Sequence, residues 1–223
     1  HPSGMLQDWP AGVPMTVHSL AALMIAISDN TATDQLIALL GREAVEAELA
    51  LAGHAEPGGT LPFLTTRELF VLKAGDEARM ARYEAASIDE RRAILAGLGD
   101  EDTTTDQINR VFAAGPRALG IEWFASAEDL GRLLAMLGRD PVARALLAIN
   151  PGLGGDATEG WAYVGYKGGS EPGVLNLSWL LRDGAGRDWA LVLSWNDPAA
   201  AVSEPQLLAL ATAALGSVAG PDD

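Results

Sequence analysis

The sequence predicts an α+β fold: an antiparallel sheet flanked by helices, with a mainly helical lobe. Three observations predict it. Apolar residues recur at helical spacing up to about Asn150. Three runs then read as strands, Trp161 to Lys167, Val174 to Arg182 and Asp188 to Trp195. A last apolar run, Glu204 to Val218, returns to helix. Helices, then a sheet, then a helix is the order of an α+β domain.

The elements follow in chain order. His1 to Pro14 is rich in Pro and Gly and reads as loop. Thr16 caps a helix whose buried face is Val17, Leu20, Leu23, Met24 and Ile27. Ser28-Asp29-Asn30 interrupts it, because these side chains compete for backbone hydrogen bonds. A second helix carries Leu36, Ile37, Leu39 and Leu40 on one side and stops at Gly41. A third covers about Glu43 to Leu51. Ala55 to Leu64 is loop. Thr65-Thr66-Arg67-Glu68 and Ser87-Ile88-Asp89-Glu90 are capping boxes that open helices, the second running to about Leu98. Gly99 to Thr105 is an exposed polar turn. Ser126 starts a helix with Leu130, Leu133, Leu134 and Leu137, and Asp140-Pro141 starts another. Asn150 to Gly155 is a Gly-rich loop. Gly168 to Gly173 and Asp183 to Gly186 are short enough to connect antiparallel strands.

At 223 residues one domain, 1–223, is expected. The formal net charge is -15, a field that repels nucleic acid and anionic membrane. No apolar window is long enough for a membrane span. With no cysteine, disulfides and thiolate chemistry are excluded. His18 and His54 stand too far apart for a metal site, His1 is terminal, and no G-x-S-x-G occurs for a Ser-His-Asp triad. Glu43, Glu46 and Glu48 read as a helix face in water. Of Trp123, Trp161, Trp179, Trp189 and Trp195, most are expected in the core. Gly152, Gly154 and Gly155 lack the Gly-Lys-Ser/Thr of a phosphate loop. No metal or organic cofactor is implied.

Two short motifs remain. Ser28-Asp29-Asn30 lies between two helices, and Lys167-Gly168-Gly169 ends a predicted strand and begins a turn. Either alone is explained by a cap or a hairpin. Together, in this order and context, they read as an intact S-D-N element and a variant of the K-T-G element of penicillin-recognising enzymes. Acyl transfer needs a proton shuttle beside the leaving nitrogen. A hydroxyl flanked by a cation, Ser28 with Lys167, supplies one.

On Met24 to Asp34 and on Lys167-Gly168-Gly169-Ser170 the chain resembles the β-lactamase and penicillin-binding-protein superfamily of serine hydrolases. The order of elements agrees along the whole chain. The long helical stretch between the motifs, the segment Thr65 to Phe70 and the turn Gly168 to Gly173 are similar to the subgroup that includes the β-lactamase-like esterase of the clavulanic-acid cluster. The resemblance implies a β-lactamase/transpeptidase-like fold with a cleft between sheet and helical lobe. It implies acyl-enzyme hydrolysis of β-lactams or related amides and esters, in a periplasmic or extracellular setting. Ser28 would relay a proton, and Asn30 would hold the substrate amide. Lys167 would set the field and bind a carboxylate. Gly168 and Gly169 would line the substrate, and the N–H of Ser170 would face the oxyanion.

The sequence departs from the family in three places. No Ser is followed three positions later by Lys, so the nucleophile motif is absent. The expectation is a domain missing its N-terminal helix, two strands and nucleophile helix, and that segment would be a partner. A sheet edge and an apolar face would then stand uncovered. The Thr of the third motif is Gly168, with Ser170 as a nearby hydroxyl. No Glu-x-x-Leu-Asn supplies a deacylating base: Glu56-Pro57 is a faint echo, and Glu68 belongs to its capping box. Three readings stay open: an active hydrolase (β-lactamase, D,D-peptidase or esterase), a catalytically inactive penicillin-binding-like module, and a fragment that pairs with a separate N-terminal piece.

Overall fold

The computed structural model describes residues 3–218. His1, read above as a terminal residue without a metal role, lies outside them. The chain divides after Ala125 into two compact units.

The first unit is helical: α1 (Val17–Ile27), α2 (Asn30–Leu40), α3 (Arg42–Leu51), α4 (Thr66–Ala74), α5 (Glu77–Ala85), α6 (Ile88–Gly97) and α7 (Thr105–Ala113). Capping decides where most of them begin. Thr16, Asp29, Thr65, Asp76, Ser87 and Thr104 each accept a backbone N–H from the first turn. Helix α4 is buried on nearly every side, with Leu72 and Lys73 wholly enclosed. It is the centre of a core that includes Leu69, Phe70, Met80, Tyr83 and Ile108. The buried ammonium of Lys73 is paired with Glu122. Arg117 donates to the carbonyls of Lys73 and Gly75 at 2.9 and 3.0 Å, closing the carbonyl end of the same helix.

The loop between α3 and α4 is strapped down. Glu46 accepts the Phe63 N–H at 2.9 Å and pairs with Arg92. Trp123 Nε1 donates to the Leu64 carbonyl at 3.1 Å. The Arg91 guanidinium donates to Leu61 O at 3.3 Å, Glu84 O at 3.1 Å and Tyr83 O at 3.2 Å, and lies over the Tyr83 ring.

The second unit holds α8 (Ala127–Leu137), α9 (Pro141–Leu147), β1 (Tyr163–Glu171), β2 (Val174–Arg182), β3 (Asp188–Asn196) and α10 (Glu204–Val218). The strands form an antiparallel meander in the order β1-β2-β3. One face of this sheet, with Leu175, Leu177, Trp179 and Leu181, packs against Leu207, Ala211 and Leu215 of α10. On the other face α9 and α8 reach Gly165 and Leu180. Further along that face stand Lys167, Ser178 and Asn176. Among the described residues both outer edges of the sheet, on β1 and on β3, are without a partner strand.

The α+β architecture is the expected one, with local differences. Helices α5 and α7 were not expected; Asp76 caps the first, and Thr104, cap of the second, sits inside the polar run Gly99 to Thr105 that reads as a turn. Leu39 and Leu40 are 62% and 61% exposed, because the last turn of α2 extends past the packed core. Glu46 is held against the loop and is not part of a solvated face. Strand β1 starts two residues late and continues through Gly168, Gly169 and Ser170 to Glu171, so Lys167 lies inside the strand and does not end it. Pairing with Leu177, Asn176 and Leu175 carries the strand across both glycines. Of the five tryptophans weighed above for the core, Trp179 alone is fully buried; Trp123 and Trp189 are 36% and 41% exposed.

Candidate functional site

In the first unit the site begins at the junction of α1 and α2. Ser28 ends α1 in the left-handed region, φ 52 and ψ 46. For a residue with a Cβ this conformation costs about 1–2 kcal/mol, and the neighbouring Asp29 holds it in place. The Asp29 carboxylate has no exposure. One oxygen accepts the N–H groups of Met5 and Leu6 at 2.7 and 2.9 Å. The other accepts the Ala32 N–H at 2.9 Å as the cap of α2. Ser3 Oγ donates to the Ser28 carbonyl at 3.0 Å. The hydroxyl-bearing turn is thus fixed by the N-terminal loop and by the first turn of α2.

Asn30 opens α2 and is half-buried. Its carbonyl accepts the Thr66 hydroxyl at 3.3 Å. One turn further, the Asp34 carboxylate accepts the N–H groups of Thr66 and Arg67 at 2.7 and 3.0 Å. Asp34 therefore serves the positive N-terminus of α4. Burial raises its pKa from the ordinary 3.8, against the lowering effect of those two hydrogen bonds. Glu68 completes the capping box with Thr65 and pairs with Arg42 at 2.7 Å. Glu56 is exposed. His54 is half-buried and engaged with backbone: it meets the Phe124 carbonyl at 2.6 Å and accepts the Glu56 N–H at 3.2 Å.

In the second unit the residues of interest lie on β1, an edge strand. An antiparallel edge presents the N–H and C=O of every second residue outward. Lys167 is half-buried and its ammonium donates to the Gly168 carbonyl. Burial pulls its pKa below the usual 10.5. Across the ladder stands Ser178, buried, whose hydroxyl donates to Asn176 Oδ1 at 2.7 Å. Gly169 and Ser170 are exposed.

Gly168 has a steric cause. A Cβ there would fall on the hydroxyl of Tyr166 and lie 2.8 Å from Tyr166 Cζ. The ring cannot swing aside. It packs against Trp179 with centroids 4.9 Å apart and ring planes tilted by 38°, and Gly152 lies so close to it that a Cβ at 152 would fall 2.5 Å from Cγ. Two glycines, in a loop and in a strand, make room for one tyrosine.

Ser28 and Asn30 thus belong to the first unit, and Lys167, Gly168, Gly169 and Ser170 to the second. Sequence reasoning passed over Asp34, Asn176, Ser178 and Tyr166. Only Tyr166 left a trace, an aromatic residue two positions before a strand glycine. Among the described residues, no three His, Asp or Glu side chains group as metal ligands.

The profile of the β-lactamase enzyme family matches residues 1–147, more than half of the chain, and the chain belongs to that family. The match includes Ser28-Asp29-Asn30 and ends before Lys167. Among solved structures, the β-lactamase from Sphaerobacter thermophilus DSM 20745 is 21% identical over 98% of this chain and 68% of that one, with a TM-score of 0.55. PBP-A is 16% identical over 95% of this chain and 64% of its own, with a TM-score of 0.53. A mutant of PBP-A, solved as an acyl-enzyme complex with penicillin G, superposes with a TM-score of 0.51 at 16% identity. The class A β-lactamase from Mycobacterium abscessus is 16% identical over 96% of this chain and 70% of that chain, with a TM-score of 0.51. At such identities the likeness is one of fold. The chain spans about two thirds of the length of these proteins. No curated protein gives a significant match.

Proposed function

We propose that this chain provides the proton-relay and substrate-holding parts of a serine hydrolase that opens β-lactams, or related amides and esters, through an acyl-enzyme. The observation that carries this reading is the conformation of Ser28. A non-glycine residue kept in the left-handed region by a fully buried aspartate is the sort of strain that persists where a side chain must be aimed. A half-buried cation on an open strand edge, Lys167, supports it.

The chemistry assigns each residue a task. A serine oxygen attacks the carbonyl carbon, and the C–N or C–O bond breaks as the leaving atom takes a proton. Ser28 relays that proton. Asn30 holds the substrate amide by its side-chain amide. Lys167 supplies the positive field and attracts a carboxylate. The Ser170 N–H stabilises the oxyanion, and Gly168 and Gly169 let substrate approach the strand. The attacking serine, in a Ser-x-x-Lys motif, lies outside these 223 residues in this reading. The substrate is a small molecule, a β-lactam or a peptide-like amide, and a periplasmic or extracellular setting suits it.

A second reading is favoured by one observation. Glu56, the nearest echo of a deacylating acid, is exposed and followed by Pro57 and two glycines. Slow deacylation would make the protein a penicillin-binding module, a D,D-peptidase or an esterase. Intact-mass spectrometry after incubation with benzylpenicillin, on this chain and on an N-terminally extended form, separates the possibilities. A covalent adduct on the extended form alone supports the proposal, and its lifetime distinguishes hydrolase from binder. The absence of an adduct on both forms overturns the acyl-enzyme reading for β-lactams.

A further inference from the structure

Helices α5 and α6 are joined by Ala86 and Ser87 alone, and between them runs a half-open groove of about 410 Å³, within the size range of small-molecule sites. Ile94 and Leu98 supply its apolar surface. The gap exists because the other facing side chains are small: Ala78 on α5, and Ala93 and Gly97 one turn apart on α6. Gly97 is the informative one. It lies within α6, its φ is not positive, and a Cβ built on it meets nothing within 4 Å. Neither strain nor crowding calls for glycine in the last turn of this helix, where it weakens helical order. Its missing side chain keeps the groove open. The walls are fixed in advance. Arg91 of α6 donates to the Tyr83 and Glu84 carbonyls of α5 at 3.2 and 3.1 Å, and Asp76 and Ser87 cap the two helices. A groove formed before its ligand arrives loses little on binding.

The rim of the groove is charged. Arg79 is paired with Glu101 at 2.8 Å. Arg82, on the same face of α5, is exposed and, among the described residues, makes no hydrogen bond or ion pair. Glu90 feels its charge but is held by the Ser87 hydroxyl and N–H at 2.7 and 2.8 Å. In a chain with 15 basic and 30 acidic residues, an arginine left without an acid beside an apolar groove is a ready complement for an anion. We propose that this groove binds a small amphipathic carboxylate, its apolar body on Ile94 and Leu98 and its carboxylate on Arg82. The guanidinium fork matches the two oxygens of such a group. Glu101 opposes the incoming charge and occupies Arg79, so it limits affinity. The proposal does not rest on the acyl-transfer reading.

The test titrates the chain with 4-phenylbutyrate and, as the uncharged control, with 4-phenylbutanol. Binding is followed by the amide NMR signals of Ile94, Gly97 and Leu98. Phenylbutyrate is expected to give a saturable shift at all three, and phenylbutanol to bind about fivefold more weakly, the size of an exposed ion pair. Arg82→Gln removes a side chain without contacts, so its melting temperature should hold. It should weaken phenylbutyrate about fivefold and leave phenylbutanol unchanged. Glu101→Gln should tighten phenylbutyrate, because the opposing charge goes and Arg79 is released. Gly97→Phe should fill the groove and abolish binding of both compounds, with the melting temperature kept because the new Cβ meets nothing. No saturable shift in the wild type, equal affinity for the acid and the alcohol, or equal phenylbutyrate affinity in wild type and Arg82→Gln overturns the proposal. So does a folded Gly97→Phe that binds as the wild type does.

Discussion

Asp29 Oδ2 accepts the backbone N–H of Met5 at 2.7 Å, across 24 positions of sequence. With Leu6 and Ala32 as further donors, this one carboxylate joins the N-terminal loop to the start of α2. Hydrogen bonds to a charged acceptor contribute about 1.5–3 kcal/mol each. Asp29→Ala is therefore expected to cost about 3 kcal/mol or more in denaturant unfolding and to release residues 3–9 to protease. A loss under 1 kcal/mol, or unchanged proteolysis, removes this role.

Gly168 and Tyr166 should behave as a coupled pair. Gly168→Ala forces a methyl into the phenol and is expected to cost about 1–3 kcal/mol. In a Tyr166→Ala background the same change should cost little, because the obstructing ring is gone. A double-mutant cycle by thermal melting measures the coupling. Additive effects would mean that the backbone, not the tyrosine, excludes a side chain at 168.

Lys167 links stability to pH. Its pKa is lowered in the folded protein from the ordinary 10.5 by burial. Below the folded pKa it is charged in both states, and only the native state bears the desolvation. Between the folded pKa and 10.5 the unfolded chain binds more proton, so stability rises with pH across that window. Lys167→Met should abolish this rise and raise the melting temperature at neutral pH by about 2–4 °C, while weakening any carboxylate ligand. Melting curves from pH 7 to 10.5 on both proteins decide it.

The buried pair of Lys73 and Glu122 is asymmetric, with side-chain exposures of 0% and 19%. Glu122→Ala leaves an enclosed ammonium without its carboxylate and is expected to cost about 3–5 kcal/mol. Lys73→Met replaces the charge with a similar volume and should cost far less. Urea unfolding of the two variants gives the order, and the reverse order would refute the argument.

Much of the fold was legible because caps are local chemistry. Thr16, Thr65, Ser87, Ser126 and Asp140 all cap the helices they announce. The misreadings share a cause: their determinants are tertiary. Gly168 and Gly169 look like a turn in one dimension, and the ring of Tyr166 that calls for Gly168 is visible only when the loop at Gly152 closes over it. Lys73, in the last turn of α4, sits in the core paired with Glu122, a partner 49 positions away that no local pattern announces. Of the site residues, Ser28, Asn30 and Lys167 stood out through their motifs. Asp34 did not, because its partners are the N–H groups of Thr66 and Arg67, and no side-chain pattern marks an acceptor of backbone bonds.

Arg91 has a mechanical meaning beyond the contacts that define it. One rigid, planar cation holds carbonyls at the end of α5 together with the Leu61 carbonyl of the loop between α3 and α4. That loop is not a free flap. Its excursions are tied to those of α5 and α6, so it should open as a hinged block, on the slower timescale of a helical pair. Amide exchange at Leu61 and at the α5 terminus would rise and fall together, and ligands that quiet one would quiet the other.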